Sequence, residues 1–435
     1  MKVLMLGLEF PPFISGGLGT ACYGLTKALN QLDIDITFIL PRPIPSEYSE
    51  HVRLASPSTR LSRSGLEAYK LAEFAHVTFR ALPAMLSPYQ TSEGYETMLS
   101  HLREHSGLRE VAGQSSGSLA MLSGGEQYGM DLYEEVHRYA RLATAIAQEE
   151  DFDVVHAHDW MTYPAGIAVA AMSGKPLVVH IHSTEFDRSG EHVNQRVYDI
   201  ERQGLHAAEQ VIAVSYLTRQ ICMNRYAVCG DKIQVVYNAI DVDGQRMDMK
   251  EVSIKKDEKI VLFLGRITMQ KGPEYFLAAA KKVLQVMDNV KFVMAGTGDM
   301  ITRTIEMAAE MGIGHKVLFT GFLRGSDVDR VFRMADLFVM PSVSEPFGLV
   351  PLEALRNDVP VIISKQSGVA EVLTHALKVD FWDINEMANK IIAVLRHPPL
   401  QATLREHGNF EARKFCWRDS ARHCVDVYHS LLAPV

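Results

Sequence analysis

Two glutamates with seven residues between them, Glu345 and Glu353, stand in the string Pro341-Ser342-Val343-Ser344-Glu345-Pro346-Phe347-Gly348-Leu349-Val350-Pro351-Leu352-Glu353-Ala354-Leu355. An apolar run ends at Pro341, and helical text begins near Gly348, with Pro351 in a first turn that tolerates proline. The amides of Phe347, Gly348 and Leu349 then point out of a helix start without intrahelical partners, which makes a seat for a phosphate or a sugar oxygen. Glu345 precedes that helix and Glu353 lies about a turn and a half into it. Carboxylates beside an anion seat repel the anion unless they serve hydroxyl groups, which sugars and riboses supply. The plainer reading is a capping Glu345 and a surface Glu353.

Three further groups of residues could join that chemistry. Gly265-Arg266-Ile267-Thr268-Met269-Gln270-Lys271-Gly272 follows an apolar strand, and its Arg266 fork and Lys271 point charge suit a diphosphate. Gly16-Gly17-Leu18-Gly19 is a turn at which backbone can approach the same phosphates closely, although the GxGxxG spacing is not met. The His-x-His pairs His156/His158 and His180/His182 each share one face of a strand. Four imidazoles with Asp159 or Glu185 would offer zinc ligands, but histidines deep in buried strands are more often satisfied core residues. His158 and His182, nearest the strand ends, are the better candidates for touching a substrate.

These residues need elements to position them. Met1 to Leu8 is apolar and leads into Pro11-Pro12; it reads as a buried strand rather than a leader segment. A glycine turn, an amphipathic stretch from Thr20 to Leu32 and the run Ile34 to Leu40 complete a βαβ unit. Short β-branched runs recur at Val154–His158, Leu177–His182, Val211–Ser215 and Ile233–Val236, as strands of a parallel sheet do. Residues 43–130 give no comparable alternation and read as loops or an insertion. The polar stretch 241–258 reads as a crossing between domains. A second alternation then begins, with strands at Ile260, Lys291, Val317, Leu337 and Val359, and a final amphipathic helix runs from Trp417 to Leu432. Two doubly wound α/β domains predict ligand binding in a cleft at the carboxyl ends of their sheets.

Composition narrows the classes. The 435 residues are 47% hydrophobic and 22% charged, an ordinary globular balance that argues against long disorder. A net charge of −8 argues against a nucleic-acid coat. Five cysteines without a CxxC pair exclude a zinc ribbon or disulfide scaffold and fit a reduced compartment, so a cytoplasmic protein is expected. Arg53, Arg60, Arg63, Lys70 and Arg80 make a loosely basic stretch, but scattered cations are usually solvated, and membrane docking is the lesser reading.

With these motifs in place, the chain resembles the retaining GT-B glycosyltransferases of glycosyltransferase family 4, the group that includes glycogen synthase-like and sucrose-phosphate synthase-like enzymes. The Glu345–Glu353 string looks like that family's E-x7-E motif. The likeness extends to the first βα turn, His158-Asp159-Trp160, the His182 loop, the Arg266/Lys271 pair and the closing helix. Only residues 43–130 escape it.

The resemblance implies a fold of two Rossmann-like domains: 1–242 for the acceptor, 243–410 for the nucleotide sugar, and 411–435 as a helix crossing back to the first. It implies that Arg266 and Lys271 bind the donor diphosphate and stabilise the leaving nucleotide. Glu345 would contact the donor sugar, and the amides of Phe347, Gly348 and Leu349 would hold sugar and phosphate. Glu353 would take the ribose hydroxyls, and Gly321 and Phe322 would line the base pocket. Gly17 would let the first loop close over the phosphates, and His182 would hydrogen-bond the reacting sugar. Glu9, His158 and Asp159 would face the acceptor.

Cations and a helix start can stabilise a departing phosphate without a metal, so no metal or other cofactor is expected, and Asp241-Val242-Asp243 reads as linker. Bacterial glycogen and starch synthases that use ADP-glucose carry K-x-G-G-L-x-D in the first turn. Here the stretch is Ile14-Ser15-Gly16-Gly17-Leu18-Gly19-Thr20, without the lysine or the aspartate, which favours the broader family. The expected activity is transfer of a hexose, glucose before others, from a nucleoside-diphosphate sugar to a carbohydrate or other hydroxyl acceptor. A nucleotide-sugar epimerase or hydrolase of the same fold and a non-catalytic nucleotide-sugar sensor are the alternatives. The donor base (UDP, ADP or GDP), the sugar and the acceptor stay open.

Overall fold

Strands buried on both faces by helices on either side give two mainly parallel sheets, the first with antiparallel pairs at its β3-β4-β5 edge, seen in a computed structural model that describes residues 1–10, 16–41, 60–61, 67–69, 75–82, 86, 132–240 and 258–433. The earlier elements are β1 (Lys2–Leu6), α1 (Gly17–Asn30), β2 (Asp35–Pro41), β3 (Arg60–Leu61), β4 (Glu67–Tyr69), β5 (Val77–Leu82), α2 (Leu132–Ala147), β6 (Val154–His158), α3 (Tyr163–Ser173), β7 (Leu177–Ile181), α4 (Glu185–Ser189), α5 (Gln195–Ala207), β8 (Gln210–Ala213), α6 (Tyr216–Tyr226) and β9 (Ile233–Val235). The later ones are β10 (Lys259–Leu264), α7 (Pro273–Leu284), β11 (Val290–Ala295), α8 (Ile301–Glu310), β12 (Val317–Gly321), α9 (Ser326–Met334), β13 (Leu337–Met340), α10 (Leu349–Arg356), β14 (Val361–Ser364), α11 (Val369–Val372), β15 (Leu377–Val379), α12 (Ile384–Arg396), α13 (Pro398–Ala412) and α14 (Trp417–Leu432). No helix among the described residues is long and apolar enough to cross a membrane.

The first sheet has the order β3-β4-β5-β2-β1-β6-β7-β8-β9, with β1 paired in parallel to both β2 and β6. Its core is aromatic: Phe10 lies 5.3 Å from Phe38 and 4.6 Å from Phe79, ring centre to ring centre. Burying each such ring contributes roughly 1.5–3 kcal/mol. Tyr139 on α2 spends its hydroxyl on the carbonyls of Ile39 and Gly7, at 3.0 and 3.3 Å, tying the helix to two strand ends. The second sheet has the order β12-β11-β10-β13-β14-β15, and every recorded strand pair in it is parallel. The strand order reverses direction beside β10, where such sheets bind ligands.

The chain divides into two compact units, one of Met1–Ile181, Asp199–Ile212 and Ala421–Val435, the other of His182–Tyr198 and Ala213–Ser420. In the first unit, the apolar face of α14 is buried at Ala421, Cys424, Val427 and Tyr428.

Two parts of the sequence reading need correction. Residues 43–130 are not all loop, because β5 lies there and pairs in parallel along its whole length with Ile36–Pro41 of β2, with Val77 and Phe79 fully buried. The second sheet has six strands rather than five; β15 is only three residues long and shows no alternation to read. Among the cations of the basic stretch, Arg80 is bound to Glu150 rather than merely solvated. Arg53, Arg63 and Lys70 lie outside the described residues, as do Ile14, Ser15 and Asp241 to Asp243.

Candidate active site

In the second unit, β10 ends at Leu264 and the chain turns through Gly265 and Arg266 to a short 3-10 turn, Met269–Lys271. Glycines let this turn pack against its neighbours backbone to backbone. Gly272 has φ of +65°, and a Cβ there would stand 2.3 Å from the carbonyl oxygen of Pro341. Gly296, at the end of β11 with φ of +137°, lies so close to Gly265 that a Cβ would meet its carbonyl oxygen at 1.9 Å. The sequence reading passed over Gly296; its signal was a glycine directly after a buried strand.

The turn delivers Lys271 to Glu345, with Nζ 2.5 Å from Oε2. Glu345 is only 8% exposed. Ser342 adds a hydroxyl at 3.3 Å to the same oxygen. The Glu345 backbone is fixed as well: its N–H donates to Gln366 O at 3.0 Å, and its carbonyl accepts from Gly368 N at 2.9 Å. Arg266 reaches back along the turn to Gln270 Oε1 at 3.3 Å. A lysine ammonium has three donors, so Lys271 can keep Glu345 and still meet a phosphate oxygen.

The loop after Glu345 behaves as a helix entry should. Ser215 and Thr218, at the start of α6, hold the Pro346 carbonyl at 2.5 and 3.3 Å. Phe347 is buried and gives its carbonyl to Val369 N at 2.7 Å. Gly348 takes φ of +106° as N-cap of α10, and no side chain caps the helix that Leu349 begins. Glu353 sits half-buried on α10; burial first, and then the charge of Asp329, push its carboxyl up to about 7 against the opposing Arg356. Gly321 ends β12 with φ of +73°, and Phe322 beyond it is half exposed, with the Arg324 guanidinium 5.1 Å over its ring.

His182 also belongs to this unit, directly after β7. Burial drives its imidazole down to about 3, so it is neutral at any ordinary pH and acts as a hydrogen-bonding group. Asp187, which the sequence reading did not single out, is buried on α4 and takes the Ser344 hydroxyl at 2.5 Å.

In the first unit, Glu9 is buried and accepts from the Gly19 amide at 3.1 Å, fastening the start of α1. Gly17 is exposed, and a Cβ there would meet nothing within 4 Å among the described residues. Asp159 is buried with φ of +59° and ψ of 166°, a region almost confined to glycine and a strain of about 1–3 kcal/mol of the kind that clusters at working sites. His158 is fully buried: its ring lies 4.3 Å from that of His156 and 5.2 Å from that of His180. His156 is bonded to the Tyr428 hydroxyl at 2.6 Å, and its ring lies within 6° of parallel to His180. The His158 and His180 rings are tilted by 31°, and His156, His158 and His180 each bring a ring nitrogen within 4.8 Å of the other two, so three of the four strand histidines form one buried cluster.

The residues 245–409 match the family described as Glycosyl transferases group 1, and residues 128–243 match Glycosyltransferase Family 4. An uncharacterized glycosyltransferase of Methanocaldococcus jannaschii is 27% identical over 98% of both chains. A glycogen synthase of Mycobacterium tuberculosis is 24% identical over 98% of this chain and 94% of its own. Among solved structures, a sucrose-phosphate synthase from Thermosynechococcus elongatus superposes with a TM-score of 0.73 at 18% identity, covering 99% of each chain. This likeness gives the GT-B fold, with two Rossmann-like halves. Together with the E-x7-E loop and the cation turn, these matches show that the chain belongs to glycosyltransferase family 4, in its glycogen synthase-like group.

Proposed function

We propose that this glycosyltransferase moves a hexose, glucose first among the candidates, from a nucleoside-diphosphate sugar to a carbohydrate hydroxyl, with retention and without a metal. The observation that carries the reading is the pair of half-buried Lys271 with buried Glu345 on a glycine-crowded floor, with Arg266 on the same turn. A carboxylate with a cation bound to it can accept from sugar hydroxyls without repelling the phosphate. The neighbouring Arg266 and the uncapped start of α10 supply charge where the leaving phosphate needs it.

The step breaks the bond between the sugar's anomeric carbon and the diphosphate oxygen and forms one to the acceptor oxygen. Negative charge grows on the departing phosphate, which Lys271 and Arg266 stabilise in this reading, and that phosphate takes the acceptor's hydroxyl proton. Removing one such donor typically costs about 3–4 kcal/mol of transition-state stabilisation. Neutral His182 hydrogen-bonds the donor sugar, and Glu353 takes the ribose hydroxyls. Glu9, Asp159 and, behind them, His158 are the acceptor-side candidates. Phe322, with Gly321, is the candidate face for the base.

Nucleotide release from purified protein tests this, with UDP-, ADP- and GDP-glucose, GDP-mannose and UDP-N-acetylglucosamine, in EDTA, with and without maltodextrin or fructose 6-phosphate. Acceptor-dependent release from one donor, abolished in Glu345→Ala and Lys271→Ala, is the expected result. Strict dependence on an added divalent ion would overturn the metal-free mechanism. Inversion at the anomeric carbon of the product would overturn retention.

A further inference from the structure

Ser344, the residue before Glu345, sends its hydroxyl to Asp187 Oδ1 at 2.5 Å. Asp187 is 2% exposed. Its other oxygen accepts from both the backbone N–H and the hydroxyl of Thr184, each at 2.7 Å. Its own amide donates to Thr184 Oγ1 at 3.2 Å, completing the reciprocal capping that starts α4. Thr184 lies two residues past His182, and Arg188 closes the turn between them by donating to the Ser183 carbonyl at 3.0 Å. The same short helix lies against the Met269–Lys271 turn.

One buried carboxylate is thus bonded on one side to the turn that follows His182 and on the other to the loop that carries Glu345. A helix of five residues has no stability of its own, so such outside bonds decide where it sits. Burial pushes the Asp187 carboxyl up, while the bonds from Ser344 and Thr184 oppose that rise.

We propose that Asp187 is a positioning residue for the transfer step, holding the His182 turn and the Glu345 loop in one register through Ser344. The inference rests on the transferase reading above. Reacting groups displaced by about 1 Å can lose a factor of about a hundred in rate, so a partial loosening should cost about tenfold.

The decisive variant is Ser344→Ala, which removes the bond between the two loops and leaves the Thr184–Asp187 capping intact. With UDP-glucose as probe, or whichever donor of the panel the wild type turns over, kcat should fall about tenfold while KM for the donor moves less than twofold. Ser344→Thr, which keeps a hydroxyl, should recover most of the rate. Unchanged kcat in Ser344→Ala, a loss confined to KM, or no recovery with threonine would overturn the assignment. Hydrogen exchange supplies a readout independent of turnover. Backbone amides of 344–348 should exchange faster in Ser344→Ala, and identical exchange would overturn the link even in a protein that transfers nothing. A wild type that turns over no donor while that exchange difference is present would overturn the transferase reading and leave the link standing.

Discussion

Replacing Glu353 by glutamine should make the protein more stable above neutral pH and barely change it in acid. In the folded chain the Glu353 carboxyl is raised from 4.5 to about 7, by burial first and by Asp329 second. The folded state therefore holds a proton that the unfolded state releases between those values, and stability falls as pH rises through that window. The full cost is reached above pH 7, and at about 1.4 kcal/mol per unit a shift of that size amounts to about 3 kcal/mol, of which about 1 kcal/mol is already present at pH 5. Glutamine has the same shape and no charge to desolvate. Urea unfolding of both proteins at pH 5 and pH 8 should show the glutamine variant gaining about 2–3 kcal/mol relative to wild type between the two. An equal difference at both pH values would refute the reasoning, because it would mean that the buried carboxyl titrates normally. The same group should report on the donor. Ribose hydroxyls donating to Glu353 favour its charged form, so nucleotide binding near pH 6 should release a proton that calorimetry detects as a buffer-dependent heat, and that release should vanish in Glu353→Gln.

Lys271→Ala strands the buried Glu345 carboxylate and should cost about 2 kcal/mol in unfolding experiments, whereas Lys271→Ala/Glu345→Gln should recover part of it; no recovery would argue against the pair. Gly296→Ala forces a Cβ against the Gly265 carbonyl at a positive φ and should lower stability by about 3 kcal/mol, read as a fall in melting temperature; a near-neutral result would contradict the close packing of the two loops. His182→Gln should slow nucleotide release without altering the shape of its pH profile between 5 and 9. The wild-type imidazole, held down at about 3 by burial, does not titrate there.

What the sequence revealed was what local spacing encodes. The helix entry at Gly348, the cation turn after β10 and the span of α14 are each contained within a short stretch, and periodicity or punctuation marks them. The strand pattern also brought His156, His158 and His180 to neighbouring positions, with His158 opposite His180 in the register. Their stacking, with His156 capped by Tyr428, depends on a partner 272 residues away and could not be read from spacing. The same holds for Asp187 and Ser344, which are 157 residues apart and each unremarkable in local text. Strand β5 was missed although Val77, Phe79 and Ala81 alternate with Thr78 and Arg80, because six residues standing alone in a long stretch give no βαβ unit to read; its burial comes from lying beside β2. The glycine at 296 marked a strand end, but only the fold says which backbone it approaches.

The first unit is assembled from segments that lie far apart along the chain, and its last contribution, Ala421–Val435, comes after all of the second unit. During synthesis the ribosome must therefore make about 210 further residues after Ile212 before Tyr428 can reach His156, roughly 10–40 s at ordinary elongation rates. Throughout that interval the apolar seat of α14 and the buried imidazole beneath it stand open to solvent or to a chaperone. The second unit, whose own residues have all emerged by Ser420, can close first. The second unit can thus close before the first, and slowing translation across Ala421–Val435 should lengthen the aggregation-prone phase of the first unit and leave the second untouched.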